Sequence, residues 1–137
     1  MNVFEAMNVV GLLAFAVTGA LKAVDADLDL LGVTVLGVMT ALGGGITRDL
    51  LVNTVPTALT SGDIGVVLVG VGVALALVQF GSAAVPSFVL LPDAIGLSAF
   101  ATTGALVGFD AGLSGFGIVL LATVTGVGGG IIADVLL

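Results

Sequence analysis

The chain has 137 residues, 59% of them hydrophobic and 8% charged, with a mean hydropathy of +1.40 and a formal net charge of −7. A soluble domain carries about 25% charged residues, so this composition excludes an ordinary water-facing surface and predicts a multi-pass protein of the cell membrane. One Lys and one Arg against eight Asp and one Glu argue against nucleic acid and polybasic lipid recognition, and with Cys and His absent there are no disulfides, thiolate nucleophiles or imidazole ligands.

The first apolar segment covers about residues 3–24, with Glu5 near its start and Lys22 near its end. An acid stands where a signal peptide would carry basic residues, and the run continues to full spanning length, so it is read as a membrane helix. Residues 25–29 (DADLD) form an acidic, solvent-facing link. A second segment begins near Leu30 and reaches Gly43, Gly44 and Gly45, followed at once by Thr47, Arg48 and Asp49. Asn53, Pro56, Ser61, Gly62 and Asp63 then mark a loop or short surface helix. Residues 64–79 are a charge-free third span. Pro86 and Pro92 are expected to bracket a connection or the start of a fourth span at about residues 94–109, and a fifth runs from Leu113 to the end.

An internal repeat organises these segments. Gly11, Phe15, Gly19, Ala20, Leu21 and Asp25 recur 85 positions later as Gly96, Phe100, Gly104, Ala105, Leu106 and Asp110. At the same offset, Thr40, Gly43, Gly44, Gly45, Ile46, Asp49 and Leu51 recur as Thr125, Gly128, Gly129, Gly130, Ile131, Asp134 and Leu136. Three crossings separate the copies, so they should face opposite ways across the membrane. The expected fold is an all-α integral membrane protein, an inverted repeat of three-helix units. Residues 1–84 form the first unit, and residues 85–137 form a partial second one holding helices 4 and 5. The third segment of the second unit is missing, which implies a shortened chain or a partner that completes it.

Three consecutive glycines weaken a helix and bare its backbone, which lipid tolerates only where protein or a polar cavity covers it. Helices 2 and 5 are therefore expected to break at Gly43, Gly44, Gly45 and at Gly128, Gly129, Gly130, next to a pore, with close helix packing through small residues as the alternative. Thr18, Thr40, Thr102, Thr103, Thr123 and Thr125 could each coordinate an ion or simply bond to the preceding helical turn, and Thr40 and Thr125, one turn before the triplets, are the leading candidates. Arg48, Asp49 and Asp134 are expected near a shared cavity with a net negative lining, because Ala133 stands at the position equivalent to Arg48. Lys22, whose equivalent is Val107, is either a membrane-end anchor or a pore or gate residue. Asp25, Asp27 and Asp29 read as a solvated loop. No arrangement of nucleophile and base, no phosphate loop and no metal-ligand pattern is present, so neither an enzyme nor a cofactor is expected. The acidic, lysine-poor composition suits a halophilic microbial host.

The sequence Gly-Ala-Leu near the end of one span, then an apolar helix ending T-A-L-G-G-G-x-x-R-D, then the pattern again, resembles the prokaryotic TRIC-type proteins. These are relatives of the trimeric intracellular cation channels, also grouped as a glycine-transporter domain family. The resemblance implies seven helices, as two inverted three-helix repeats plus a final one, in a homotrimer whose subunits each hold a potassium-permeable pore around kinked helices 2 and 5. It maps those kinks onto the two glycine triplets and the following polar residues onto Arg48, Asp49 and Asp134, and it places Lys22 on the cytoplasmic side. The expected function is passive conduction of monovalent cations across a lipid bilayer. A carrier for glycine or another small solute, with Arg48 receiving the carboxylate, is one alternative; a non-conducting structural subunit is another.

Overall fold

Asn2 starts the first helix. Its side chain accepts the Glu5 N–H at 2.8 Å while the Glu5 carboxylate accepts the Asn2 N–H at 3.0 Å, a reciprocal capping box that launches α1 (Val3–Asp25). The computed structural model describes residues 2–80 and 85–137. It continues with α2 (Leu30–Leu51), a 3-10 turn at Thr57–Leu59, α3 (Asp63–Phe80), α4 (Val85–Asp110) and α5 (Gly115–Leu136). All five helices are long and apolar enough to cross a membrane. The chain is thus an all-α, multi-pass membrane protein.

The connections repeat as faithfully as the spans do. Asp29 caps α2 by accepting the Gly32 N–H at 2.8 Å, and Ser114, 85 positions on, caps α5 by accepting that of Gly117 at 3.2 Å. Just past α1 the chain turns through Asp27 at φ 56°, and just past α4 through Gly112 at φ 69°. In each case the next amide reaches back to a helical carbonyl, Leu28 to Ala23 and Leu113 to Gly108, both at 3.0 Å. Asp27 holds a left-handed conformation that its repeat mate adopts as glycine. Asp27→Gly is therefore expected to raise stability by roughly 1 kcal/mol, read as a higher melting temperature in detergent; an unchanged or lower value would refute it.

The contacts between helices show the inversion directly. α1 packs on α4 and α2 on α5, while α1/α2 and α4/α5 pair within their units and α3 rests mainly on α1. Gly11 lies under the ring of Phe100, and Gly96 lies under the ring of Phe15, each ring carbon 2.5 Å from where a Cβ would stand. The two rings meet edge to face with centroids 5.2 Å apart. Contacts pairing 11 with 100 and 15 with 96 run in opposite directions, so α1 and α4 are antiparallel and related by a local two-fold axis across the helices.

Two sequence expectations need correction. α2 and α5 are continuous α-helices through Gly43, Gly44, Gly45 and through Gly128, Gly129, Gly130, with no break. Helical hydrogen bonds satisfy the backbone there, and the missing side chains serve the approach of the two helices, as described below. The fourth helix also starts earlier than expected, at Val85, and carries Pro92 inside it instead of before it. Pro86 falls in the first turn, where the absent N–H has no helical partner to lose. The boundary expected after residue 84 adjoins residues 81–84, which lie outside the described residues.

Candidate functional site

The antiparallel α2/α5 crossing is the centre of the bundle. The Thr125 carbonyl oxygen occupies the space where a Gly44 Cβ would stand, and the Thr40 carbonyl oxygen does the same at Gly129. Gly128 lies against the Gly44 backbone, 3.1 Å from its own would-be Cβ. Two backbones in such contact require glycine on both sides, the small-residue logic of membrane helix packing. Gly45 and Gly130 behave differently: a Cβ at Gly45 would meet only Arg48 Nη2 at 3.9 Å, and at Gly130 nothing within 4 Å.

Thr40 and Thr125 are fully buried and hold equivalent positions. Each hydroxyl donates to a carbonyl one turn back, Leu36 and Leu121, both at 2.6 Å. Gly19 and Gly104 make room for them, since a Cβ at either glycine would run into the threonine side chain. Their hydroxyl protons are committed to their own helices; each oxygen keeps acceptor capacity.

Arg48, at the α2 C-terminal end, is the largest fully buried side chain among the described residues, 1% exposed. Its Nε and Nη2 both donate to Asp49 Oδ1 at 2.7 Å, its Nη1 donates to Thr103 Oγ1 on α4 at 3.3 Å, and its guanidinium lies 5.4 Å from the Phe4 ring centroid. The other Asp49 oxygen accepts the Thr57 N–H at 2.8 Å and the Thr57 hydroxyl at 3.0 Å. The Asp49 carbonyl accepts from Thr54. One ion pair thus pins the 52–62 loop to the end of α2 and ties α2 to α4. A cavity of about 10 Å³ beside it is lined by Asn8, Gly45, Arg48, Thr57 and Asp63, and Asn8 Nδ2 donates to Asp63 at 3.4 Å.

Asp134, the repeat mate of Asp49, lies at the opposite end of the bundle. Its partner is Lys22 of α1, at 2.8 Å, with side-chain exposures of 24% for the lysine and 66% for the aspartate. This corrects the expectation of one cation and two anions around a shared negative cavity. Inversion sends the two motif aspartates to opposite faces, and each meets one of the two cations. With one basic side chain at each end, the count of Lys and Arg does not distinguish the two faces.

Thr57, Phe4 and Asn8 belong to this cluster without having been singled out in the sequence, while Thr103 stood there as one of six candidate threonines and Asp63 as a loop marker. Thr103 carried a signal, because the same offset relates it to Thr18 and both are fully buried. Thr57 carried none: its role follows from the path of a loop.

The glycine transporter family model matches residues 5–80 and 90–137. A UPF0126 membrane protein of Bacillus subtilis, YvgT, is 37% identical over 135 residues, covering 97% of this chain and 67% of its own length. A UPF0126 membrane protein of Deinococcus radiodurans is 40% identical over 132 residues, covering 95% and 61%. Among solved structures, a prokaryotic TRIC channel in 0.5 M KCl superposes with a TM-score of 0.88 at 36% identity, covering 97% of this chain and 69% of that one. The TRIC trimeric intracellular cation channel orthologue of Rhodobacter sphaeroides gives 0.87 at 34%, covering 99% and 71%. The chain spans about two thirds of the length of these relatives.

Proposed function

We propose that this chain, which belongs to the prokaryotic TRIC-type family of UPF0126 membrane proteins, provides a passive transmembrane path for monovalent cations, potassium foremost, and works as a homotrimer. Relatives that share its fold across almost all of its length are TRIC cation channels, one of them solved in KCl and another described as trimeric. The observation that carries the reading is that shared fold, with TM-scores of 0.88 and 0.87, at whose centre the α2/α5 crossing lies. Two antiparallel helices there bring glycine backbones and two fully buried threonines together at the centre of a two-fold bundle. On this reading Gly43, Gly44, Gly45, Gly128, Gly129 and Gly130 shape the path together with Thr40 and Thr125, while Arg48, Asp49, Asp134 and Lys22 set the charge at its two ends. Residues 1–84 and 85–137 act as the two inverted units.

Conduction requires no covalent chemistry. The glycine-carrier alternative asks Arg48 to receive a carboxylate, but Asp49 already occupies its Nε and Nη2, and the adjoining cavity of about 10 Å³ has room for roughly one water. That geometry leaves no place for a carboxylate at Arg48.

Protein reconstituted into vesicles under a potassium gradient is expected to pass potassium at a rate that rises linearly with the gradient, and to show no saturable uptake of radiolabelled glycine. Saturable glycine uptake without unitary currents would replace the channel with the carrier. Neither activity in either assay would leave a structural subunit.

A further inference from the structure

We propose that Lys22 is a positioning residue that does for the second glycine motif what Arg48 does for the first: it neutralises the motif aspartate and bolts one diagonal of the bundle at its mouth. α1, α2, α4 and α5 form a four-helix group in which two diagonals, α1 to α5 and α2 to α4, touch only lightly. The two-fold axis exchanges these diagonals. Arg48 crosses one, reaching from α2 to Thr103 on α4, and Lys22 crosses the other, reaching from α1 to Asp134 on α5. The two cations close equivalent gaps at opposite ends, although 48 and 22 are not repeat mates.

The exchange is visible in what each position lost. Val107 stands at the equivalent of Lys22 and Ala133 at the equivalent of Arg48. Arg48 Nη2 lies 3.9 Å from the would-be Cβ of Gly45, whereas the same point at Gly130 has nothing within 4 Å. Beside Gly130 the second copy therefore has no group at the point that the Arg48 guanidinium approaches in the first. The residues related by the offset to Asp49, Asn8 and Thr103 are Asp134, Asp93 and Thr18, two carboxylates and a hydroxyl, a set suited to an arginine that the chain does not place there. Lys22 meets the charge requirement from a neighbouring helix. The cost is exposure: its pair is open to water, where the Arg48 pair is sealed. The Lys22 bolt is consequently the one that opens more readily.

The test moves the cation back, and its flux arm rests on the conduction reading above. Lys22→Val should raise potassium flux through reconstituted vesicles by roughly threefold to fivefold, the population shift that an exposed pair can hold, and lower the melting temperature in detergent by about 2–4 °C. Lys22→Arg should behave as the unaltered protein does. Adding Ala133→Arg to Lys22→Val should restore both readouts, since the new guanidinium would meet Asp134 and Thr18 as Arg48 meets Asp49 and Thr103. A double variant that stays at the Lys22→Val values in melting overturns the inference, as does a Lys22→Arg protein that matches Lys22→Val. If no variant passes potassium while the double variant still recovers its melting temperature, the conduction reading fails and the role of Lys22 stands.

Discussion

Arg48→Ala is expected to destabilise the bundle by roughly 3–5 kcal/mol, the cost of stranding a buried partner charge. Asp49 is 4% exposed, and without the guanidinium its Oδ1 loses both donors while Oδ2 still holds Thr57. A carboxylate at that depth has no bulk water to turn to. Arg48→Lys should fall between, because an ammonium keeps the charge but not the fork that serves Asp49 and Thr103 together. Arg48→Met combined with Asp49→Asn should recover most of the loss, since removing both charges is far cheaper than removing one. Thermal and denaturant unfolding in detergent measure all three variants. An Arg48→Ala protein that melts with the unaltered one would mean that this pair is not sealed from water.

The same pair marks where sequence reasoning stopped. Five spans, their order and their inversion were legible because apolar runs and a constant offset of 85 are one-dimensional signals. The offset even extends to the caps, through Asp29 with Ser114 and Asp27 with Gly112. The partners of the charges were not legible. Arg48 and Asp49 are neighbours in the chain and remain neighbours in space, but the pairing of Lys22 with Asp134 joins residues 112 positions apart. It depends on how two parallel helices of different units end at one face. Adjacency to a glycine motif suggested a shared negative cavity, whereas depth and inversion decide the matter and separate the two aspartates. The remaining acids in the described turns, such as Asp27 and Asp29, are exposed, so the strong negative charge of the chain belongs to its ends and not to its centre.

The glycines raise the same ambiguity, and a matched set of alanines resolves it. A helix break and a close crossing both call for glycine, but they call for it at different places. If the triplets served to break the helices, all three members of each should matter alike. In the continuous helices observed, only those facing the partner should. A methyl group at Gly44 would collide with the Thr125 carbonyl, and one at Gly129 with the Thr40 carbonyl. Backbone oxygens in a packed helix cannot swing aside as a side chain can, so each substitution must push α2 and α5 apart. Gly44→Ala and Gly129→Ala are each expected to cost roughly 1–3 kcal/mol or more, the usual penalty for overpacking. They act on two symmetry-related contacts of one crossing, so the double variant should cost less than the sum of the two. Gly130→Ala meets open space and should be neutral or mildly stabilising, because alanine is the better helix former by about 1 kcal/mol. Unfolding in detergent ranks the set. Equal losses at 44, 129 and 130 would restore the helix break, whereas losses confined to 44 and 129 assign the glycines to the crossing that brings two backbones into contact at the centre of the bundle.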